Sequence, residues 1–492
     1  MERFMNADLI LVLDAGTTST RAIAFSRAGE IVASAQTPLT QHYPAPGHVE
    51  HDAAEIWRLS ARCLEEVAET VGVERIAALG LTNQRETLVL WDKQTGEPIA
   101  PALVWQDRRT APRCEALKAA GHEAMVQAKT GLLLDPYFTA SKLGWALETW
   151  PDVARAAKAG RLAAGTVDSW LIWKLSDGAR HITDATNASR TALMDLATAR
   201  WDAELLALFG VPAECLPEIT DCAGPLAITT LLGRPLAITG SAGDQQAASI
   251  GQACLNAGDI KATYGTGAFV LAHAGAAPPQ SDHRLLATLA WRLGGENAYA
   301  LEGSIFVAGA AIQWLRDGLG LIGSAQETEA LARSVTDTGG VQFVPALAGL
   351  GAPHWAPEAR GIITGLTAGT TKAHLVRATL EAMGQQTADL IEALRADGVP
   401  VQALKVDGGM VGNDWLCQDI ADSLGLPVSR PRVIETTALG AAMLAGLGCG
   451  WFKSLAEAAA AMVHAGRSFT PQGNPAPRRK AWQQALRQTL AR

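Results

Sequence analysis

The sequence predicts an α/β protein built as two domains with a cleft between them. Three observations lead there: a length of 492 residues, short apolar runs interleaved with helical patterns, and a recurring device in which an apolar strand delivers an aspartate and then flexible backbone. A single hydrophobic core stops growing well before this length, so the chain is expected to divide.

The elements follow in order. Residues 9–13, LILVL, end in Asp14, Ala15, Gly16, Thr17 and Thr18, and a second run, RAIAF, begins at Arg21; a turn at 27–30 precedes IVASA. This reads as an antiparallel meander. From Asp52 to Glu69, Ile56, Leu59, Cys63 and Val67 recur at helical spacing, with Asp52 as the cap. PLAITGSAGD is another strand end, closing on Asp244 with a helix-like QQAASIGQ behind it. The domain boundary is placed just after it, giving segments 1–251 and 252–492. ALKV runs into Asp407, Gly408 and Gly409 as LILVL runs into Asp14, a similarity that duplicated domains would produce. Residues 271–280 read as a loop by their Pro and Gly content, and the tail from Gly466 as a surface extension.

Composition narrows the partners. The apolar share is 48% and the charged share 18%, and no segment reaches the ~20 uninterrupted apolar residues of a membrane span. The N-terminal apolar run is too short and too weakly basic for an export signal, so a cytoplasmic location without integral membrane association is expected. A formal net charge of −8 argues against nucleic acid, whose phosphates demand clustered Lys and Arg. Seven cysteines lie scattered without CxxC pairs, against both a zinc site and a disulfide framework.

The chain has no G-x-x-x-x-G-K-[ST] segment, so bound phosphates would need an anchor other than that cradle. The turn of Gly16, Thr17, Thr18 and Ser19, with Arg21 close by, offers backbone N–H groups and hydroxyls, and TYGTG at 263–267 offers the same again. Such turns are common structural features; strand-end aspartates beside them strengthen the functional reading. Asp14 suits Mg²⁺, or an ordinary turn. Asp244 reads as a helix N-cap, and equally as the carboxylate that takes the proton of a hydroxyl attacking a γ-phosphate. Arg85 beside Glu86 is what a solvated hairpin carries, and also what a small polyol needs, donors and acceptors side by side. Trp105 and Phe269 suit a core or the apolar wall of such a pocket.

In these residues and their order the chain resembles the FGGY family of carbohydrate kinases, and within it the branch acting on glycerol. The resemblance rests on DAGTTSTRAIAF, PGHVEHD, GLTNQRET, VWQDRRT, LDPYF, DSWLIWKL, TNASRT, AGDQQA, TYGTG, LEGSIFVAGAAIQWLRD, GAPHW, GLTAGTTKAHLVRATLEA, DGGM and ETTALGAAM, in the family's order. It implies two RNase H-like domains of the actin, Hsp70 and hexokinase superfamily, with ATP and glycerol meeting in the cleft. It further implies glycerol contacts at Arg85, Glu86, Tyr137, Asp244 and Gln245, pocket walls at Trp105 and Phe269, and Asp244 as general base. Nucleotide contacts are implied at Thr17, Thr18, Ser19, Arg21, Thr266, Gly309, Gln313, Gly409 and Asn413, with Mg²⁺ at Asp14 and a homodimer or homotetramer as the assembly. Another FGGY kinase for a tetritol or pentulose, and a chaperone-like ATPase on the same superfamily fold, stand as alternatives. Two departures stand out. Ala15 replaces the family's usual Gln, and TTLLGRP, with Arg234 its one basic residue, is short where some members bind fructose 1,6-bisphosphate, so that control is not expected.

Overall fold

The computed structural model describes residues 7–491; residues 1–6 of the stretch read for an export signal lie outside the described residues. Two mixed sheets organise the chain. The first contains β1 (Leu9–Ala15), β2 (Ser19–Ser26), β3 (Ile31–Pro38), β4 (Ile76–Asn83), β5 (Ala223–Thr229) and β6 (Leu236–Gly243), in spatial order β5-β6-β4-β1-β2-β3. The opening meander forms as expected, β1 and β2 antiparallel and β2 and β3 antiparallel. β4 then lies parallel to β1, and β6 parallel to β4. Every position of β1 is buried, as befits a central strand covered on both faces. On one face lies α1 (Ala53–Val71), begun by Asp52 accepting the Ala54 N–H at 2.8 Å, with Ile56, Leu59, Cys63 and Val67 turned into the core. Two short helices, α2 (Ala185–Ala188) and α3 (Asp244–Gly251), sit at the carboxyl ends of the parallel strands.

The second sheet contains β7 (Ile260–Tyr264), β8 (Ala268–Gly275), β9 (Leu286–Leu293), β10 (Glu296–Ile305), β11 (Leu404–Asp407), β12 (Val428–Arg430) and β13 (Arg467–Phe469), in order β9-β10-β8-β7-β11-β12-β13. Its plan repeats the first: an antiparallel meander β7-β8-β10, then parallel β11 and β12. The counterpart of β1 is therefore β7, and that of the Gly16 turn is the TYGTG turn. Asp407 ends β11, the counterpart of β4, so it does not match Asp14. The apolar-Asp-Gly pattern marks a strand's carboxyl end without saying which strand. Helices α4 (Gly309–Gln313), α5 (Lys372–Ala396), α6 (Asp414–Leu424), α7 (Thr436–Gly448), α8 (Leu455–Met462) and α9 (Ala476–Leu490) are among the helices of this half.

Two local readings need correction. Residues 271–275 belong to β8, with Leu271 and Ala272 fully buried, and the loop begins only beyond Gly275, at φ 95°. The tail is not a surface extension. β13 pairs with β12, and α9 buries Trp482 to 1% exposure. Its prolines signalled a loop, but Pro475 and Pro477 stand at the helix start, where a missing N–H costs nothing.

Sequence halves and cores do not coincide. α7 and α8, late in the chain, close the second face of the first sheet, sharing a core with Ile10, Val12, Ile23, Phe25 and Ala78. α7 also crosses α3 at backbone contact. A Cβ on Gly440 would stand 1.8 Å from the Ala247 carbonyl oxygen, and one on Gly251 would stand 2.0 Å from that of Thr436.

Candidate active site

The turn after β1 is held from outside so that its N–H groups are left over. Gly16 N–H donates to Ser19 O at 3.0 Å, and Leu39 N–H donates to Thr18 O at 2.9 Å. The side-chain amides of Gln41 and Gln84 reach Thr17 O at 2.7 Å and Gly16 O at 3.1 Å. With these carbonyls taken, the N–H groups of Thr17 and Thr18 donate to no protein acceptor among the described residues, the arrangement an anion requires. Ser19 Oγ accepts from Gln36, and Thr17 Oγ1 accepts from Trp105 Nε1 at 2.9 Å, tying the turn to the pocket wall. Arg21 bridges Asp14 and Glu435, both at 2.5 Å. Burial raises the Asp14 carboxyl above its ordinary range, an effect Arg21 opposes and the charges of Asp244 and Glu435 reinforce. No group of three or more His, Cys, Asp or Glu among the described residues forms a metal cage. The buried carboxylate of Asp14 beside the turn is a donor that fits Mg²⁺, which keeps waters and substrate phosphates and takes one or two carboxylates from the protein.

Across the cleft, the TYGTG turn packs against the start of α4. Gly309 N–H donates to Gly265 O at 2.9 Å, and Ala308 and Ala310 N–H groups converge on Thr266 O at 3.0 and 2.9 Å. Gly309 is needed for that approach, since a Cβ would stand 2.6 Å from Gly265 O. Thr266 and Gln313 are exposed, as is Gly409, where a Cβ would meet nothing within 4 Å. Asn413 is used differently. Its Oδ1 caps α6 by accepting the Leu416 N–H at 3.0 Å, and its Nδ2 donates to Thr328.

Between the two turns, aromatic and charged side chains come together. Trp105 meets Tyr137 edge-on at 5.6 Å and Phe269 at 6.2 Å between ring centroids. Arg85 and Glu86 are no solvated hairpin: both are almost fully buried, at 3% and 1%. Glu86 sits on left-handed backbone, φ 59°, a conformation non-glycine residues hold only where the surroundings impose it. Arg85 Nε lies 3.1 Å from Asp244 Oδ1 and its guanidinium 6.0 Å from the Phe269 ring centroid. Asp244 is the first residue of α3 rather than its cap, a place taken by Gly243. That order is steric, because a Cβ at Gly243 would stand 2.7 Å from Arg85 Cγ. Asp244 Oδ1 also accepts the Gln245 N–H at 2.7 Å, and Gln245 Oε1 accepts from buried Lys261.

Several residues of this centre escaped the sequence reading. Arg190 and Glu302 bind Arg85 and Glu86 from behind, and Gln246 Oε1 accepts from Arg85 at 3.3 Å. Asn83 and Asn187 exchange amide hydrogen bonds at 3.0 and 3.1 Å, fastening the end of β4 to α2. Arg234 donates to the carbonyls of Val73 and Ile76, leaving it committed to the protein backbone.

The amides behind the first turn depend on a neutral histidine. His51 is fully buried, with Nε2 facing Gln41 Oε1 at 2.9 Å and Nδ1 facing Gln84 Nε2 at 3.3 Å. Burial, helped by the nearby His42, pushes it from 6.5 to about 4; burial and Lys93 do the same to His181. The unfolded chain thus binds protons between pH 6.5 and 4 that the native protein refuses. Each histidine's contribution to stability is expected to fall across that window, by up to about 3 kcal/mol, whereas buried Asp168 and Asp419, raised to about 7, contribute in the opposite direction. Urea midpoints at pH 7 and pH 5 for the wild type and His51→Gln isolate the share of His51, the variant losing less on acidification; an equal acid shift in both would refute the assignment.

The two halves of the chain match the models for the N-terminal domain, residues 9–251, and the C-terminal domain, residues 260–449, of the FGGY family of carbohydrate kinases. A glycerol kinase of Rhodospirillum rubrum is 56% identical over 491 residues, covering 98% of this chain and 99% of that one. A glycerol kinase of Gluconobacter oxydans is 54% identical over 490 residues, covering 98% and 96%. The crystal structure of Plasmodium falciparum glycerol kinase with ADP superposes with a TM-score of 0.91 at 33% identity, over 98% of each chain. Two sheets of one plan, a Gly/Thr turn on each and a cluster of charged and aromatic side chains between them thus accompany full-length similarity in sequence and fold, and the chain belongs to the FGGY family of carbohydrate kinases.

Proposed function

We infer that the protein is a glycerol kinase, transferring the γ-phosphoryl group of ATP to a terminal hydroxyl of glycerol to give sn-glycerol 3-phosphate and ADP. The observation that carries this reading is the cluster itself: three aromatic rings opposite the Arg85–Asp244 pair, which stand 3.1 Å apart. Rings pack against carbon-bound hydrogens, and paired donors and acceptors satisfy hydroxyls, so the lining suits a short polyol. Curated glycerol kinases matching nearly the whole chain support the same substrate.

In this reading residues 1–251 carry most glycerol contacts and the first phosphate turn, and residues 252–492 carry Phe269 and the nucleotide contacts at Thr266, Gly309, Gln313, Gly409 and Asn413. Arg85 and Glu86 grip hydroxyls, with Tyr137 and Gln245 beside them. Asp244 orients the attacking hydroxyl toward the γ-phosphorus and receives its proton as the new O–P bond forms. Thr17, Thr18, Ser19 and Arg21 hold the phosphates. Mg²⁺, held by Asp14, would neutralise charge on the β- and γ-phosphates when bound.

ADP release compared across glycerol, erythritol, xylulose and ribulose tests the substrate. Glycerol is expected to give the highest kcat/KM, and a strong preference for any of the others would overturn the reading. Removing a hydroxyl leaves buried polar partners unpaired at about 1–3 kcal/mol each, so 1,3-propanediol should lose roughly 5- to 150-fold in kcat/KM. A loss below twofold would mean that the cluster does not read the middle hydroxyl.

A further inference from the structure

Arg85 and Glu86 are two members of a ring of four charges, and the other two have no role in the reaction described above. Glu302 Oε2 meets Arg85 Nη1 at 2.5 Å, and its Oε1 lies 3.3 Å from Arg85 Nη2 and 2.8 Å from Arg190 Nη2. Arg190 Nε then meets Glu86 Oε1 at 2.6 Å, and Arg85 Nε stands 4.0 Å from the same oxygen. The ring is dry, no side chain in it being more than 2% exposed, and its four charges cancel.

A ring of this kind is a poor device for stability alone. Removing four charges from water is costly, and apolar side chains of the same volume often serve a core as well or better. The satisfaction here is also incomplete, since Arg190 Nη1 is buried without a partner. What the ring does fix is direction. Glu302 holds both terminal nitrogens of Arg85, leaving its Nε to face Asp244, and Arg190 holds the carboxylate of Glu86, whose backbone is in the left-handed region. The carboxylates differ accordingly. Burial raises both, but Arg190 and Arg85 outweigh it at Glu302 and hold it below its ordinary range, whereas Glu86 stays above. Glu302 is the firmly ionised anchor.

The origin of the anchor matters as much as its charge. Arg85, Glu86 and Arg190 belong to the first half of the chain, whereas Glu302 stands on β10 of the second sheet, opposite Leu271 of β8 and Leu286 of β9. Moving that sheet relative to the first would draw the carboxylate off both guanidiniums.

We propose that Glu302 and Arg190 are positioning residues for glycerol, and that Glu302 makes the glycerol affinity of Arg85 depend on where the second domain stands. The proposal rests on the reading of Arg85 and Glu86 as glycerol contacts. Its test uses the full chain carrying Glu302→Gln, which keeps shape and removes charge, Glu302→Asp, which keeps charge and shortens reach, and Arg190→Lys. Steady-state constants for glycerol and ATP are measured for each, together with glycerol binding by calorimetry without nucleotide. Glu302→Gln is expected to raise the KM and Kd for glycerol about tenfold or more, with the KM for ATP within twofold of wild type. Arg190→Lys should shift in the same direction, and Glu302→Asp should recover part of the loss. Glycerol and ATP constants that move together, a lowered Tm with unchanged glycerol constants, or failure of both Glu302 variants to fold would overturn it, each assigning the ring to stability. A wild-type chain inactive on glycerol would instead sink the functional reading, so the two failures are distinct.

Discussion

Asp244→Asn is expected to lower kcat by about 10²–10⁴ while leaving the KM for glycerol within a few-fold of wild type. The reasoning is geometric. Asp244 Oδ1 is engaged by the Gln245 N–H and faces Arg85, so a shape-conserving amide can keep that contact. What an amide cannot do is receive the proton that leaves the attacking hydroxyl, and in a loose phosphoryl-transfer transition state that role is separable from binding. Coupled measurement of ADP release at saturating glycerol and ATP checks it. A variant retaining more than a tenth of wild-type kcat would remove Asp244 from the role of base. A variant whose loss lay wholly in the KM would make it a binding residue.

The second large effect concerns the helix crossing. Gly440→Ala should destabilise the protein by about 3 kcal/mol or more, because its Cβ would stand 1.8 Å from the Ala247 carbonyl oxygen with backbone on both sides of the contact. Neither helix can yield without moving the other. α3 carries Asp244 at its first residue and α7 lies against the first sheet, so separation of the pair would also displace the carboxylate. Activity is thus expected to fall with stability. Thermal denaturation and kcat on the same preparation test this, and a Tm within about 0.5 °C of wild type, roughly half a kcal/mol for a chain of this size, would show that the crossing has slack.

Local features were legible in the sequence, and distant pairings were not. The Asp52 cap and the helical stripe behind it depend on neighbours within a few residues, so the pattern alone defined α1. The two Gly/Thr turns were legible as turns for the same reason. Arg190 and Glu302 were not, because the partners that give them meaning lie 104 to 217 positions away. A lone Arg in TNASRT or Glu in LEGSIF carries no mark of burial. The burial of Arg85 and Glu86 was equally hidden, for an adjacent opposite pair looks the same at a wet hairpin as in a dry ring. The errors at 271–275 and in the tail arose where Gly and Pro serve at element ends.

The cover that α7 and α8 provide has a consequence for how the protein is made. On the ribosome, Ile10, Val12, Ile23, Phe25 and Ala78 emerge long before residues 436–462, which close the face they share. At the usual pace of synthesis the interval is on the order of tens of seconds. Throughout it that apolar face is covered only in part, by Ala247 and Ile250 of α3. The nascent chain is therefore a ready client for chaperones, and its first domain is the earlier to be translated without being able to finish folding first.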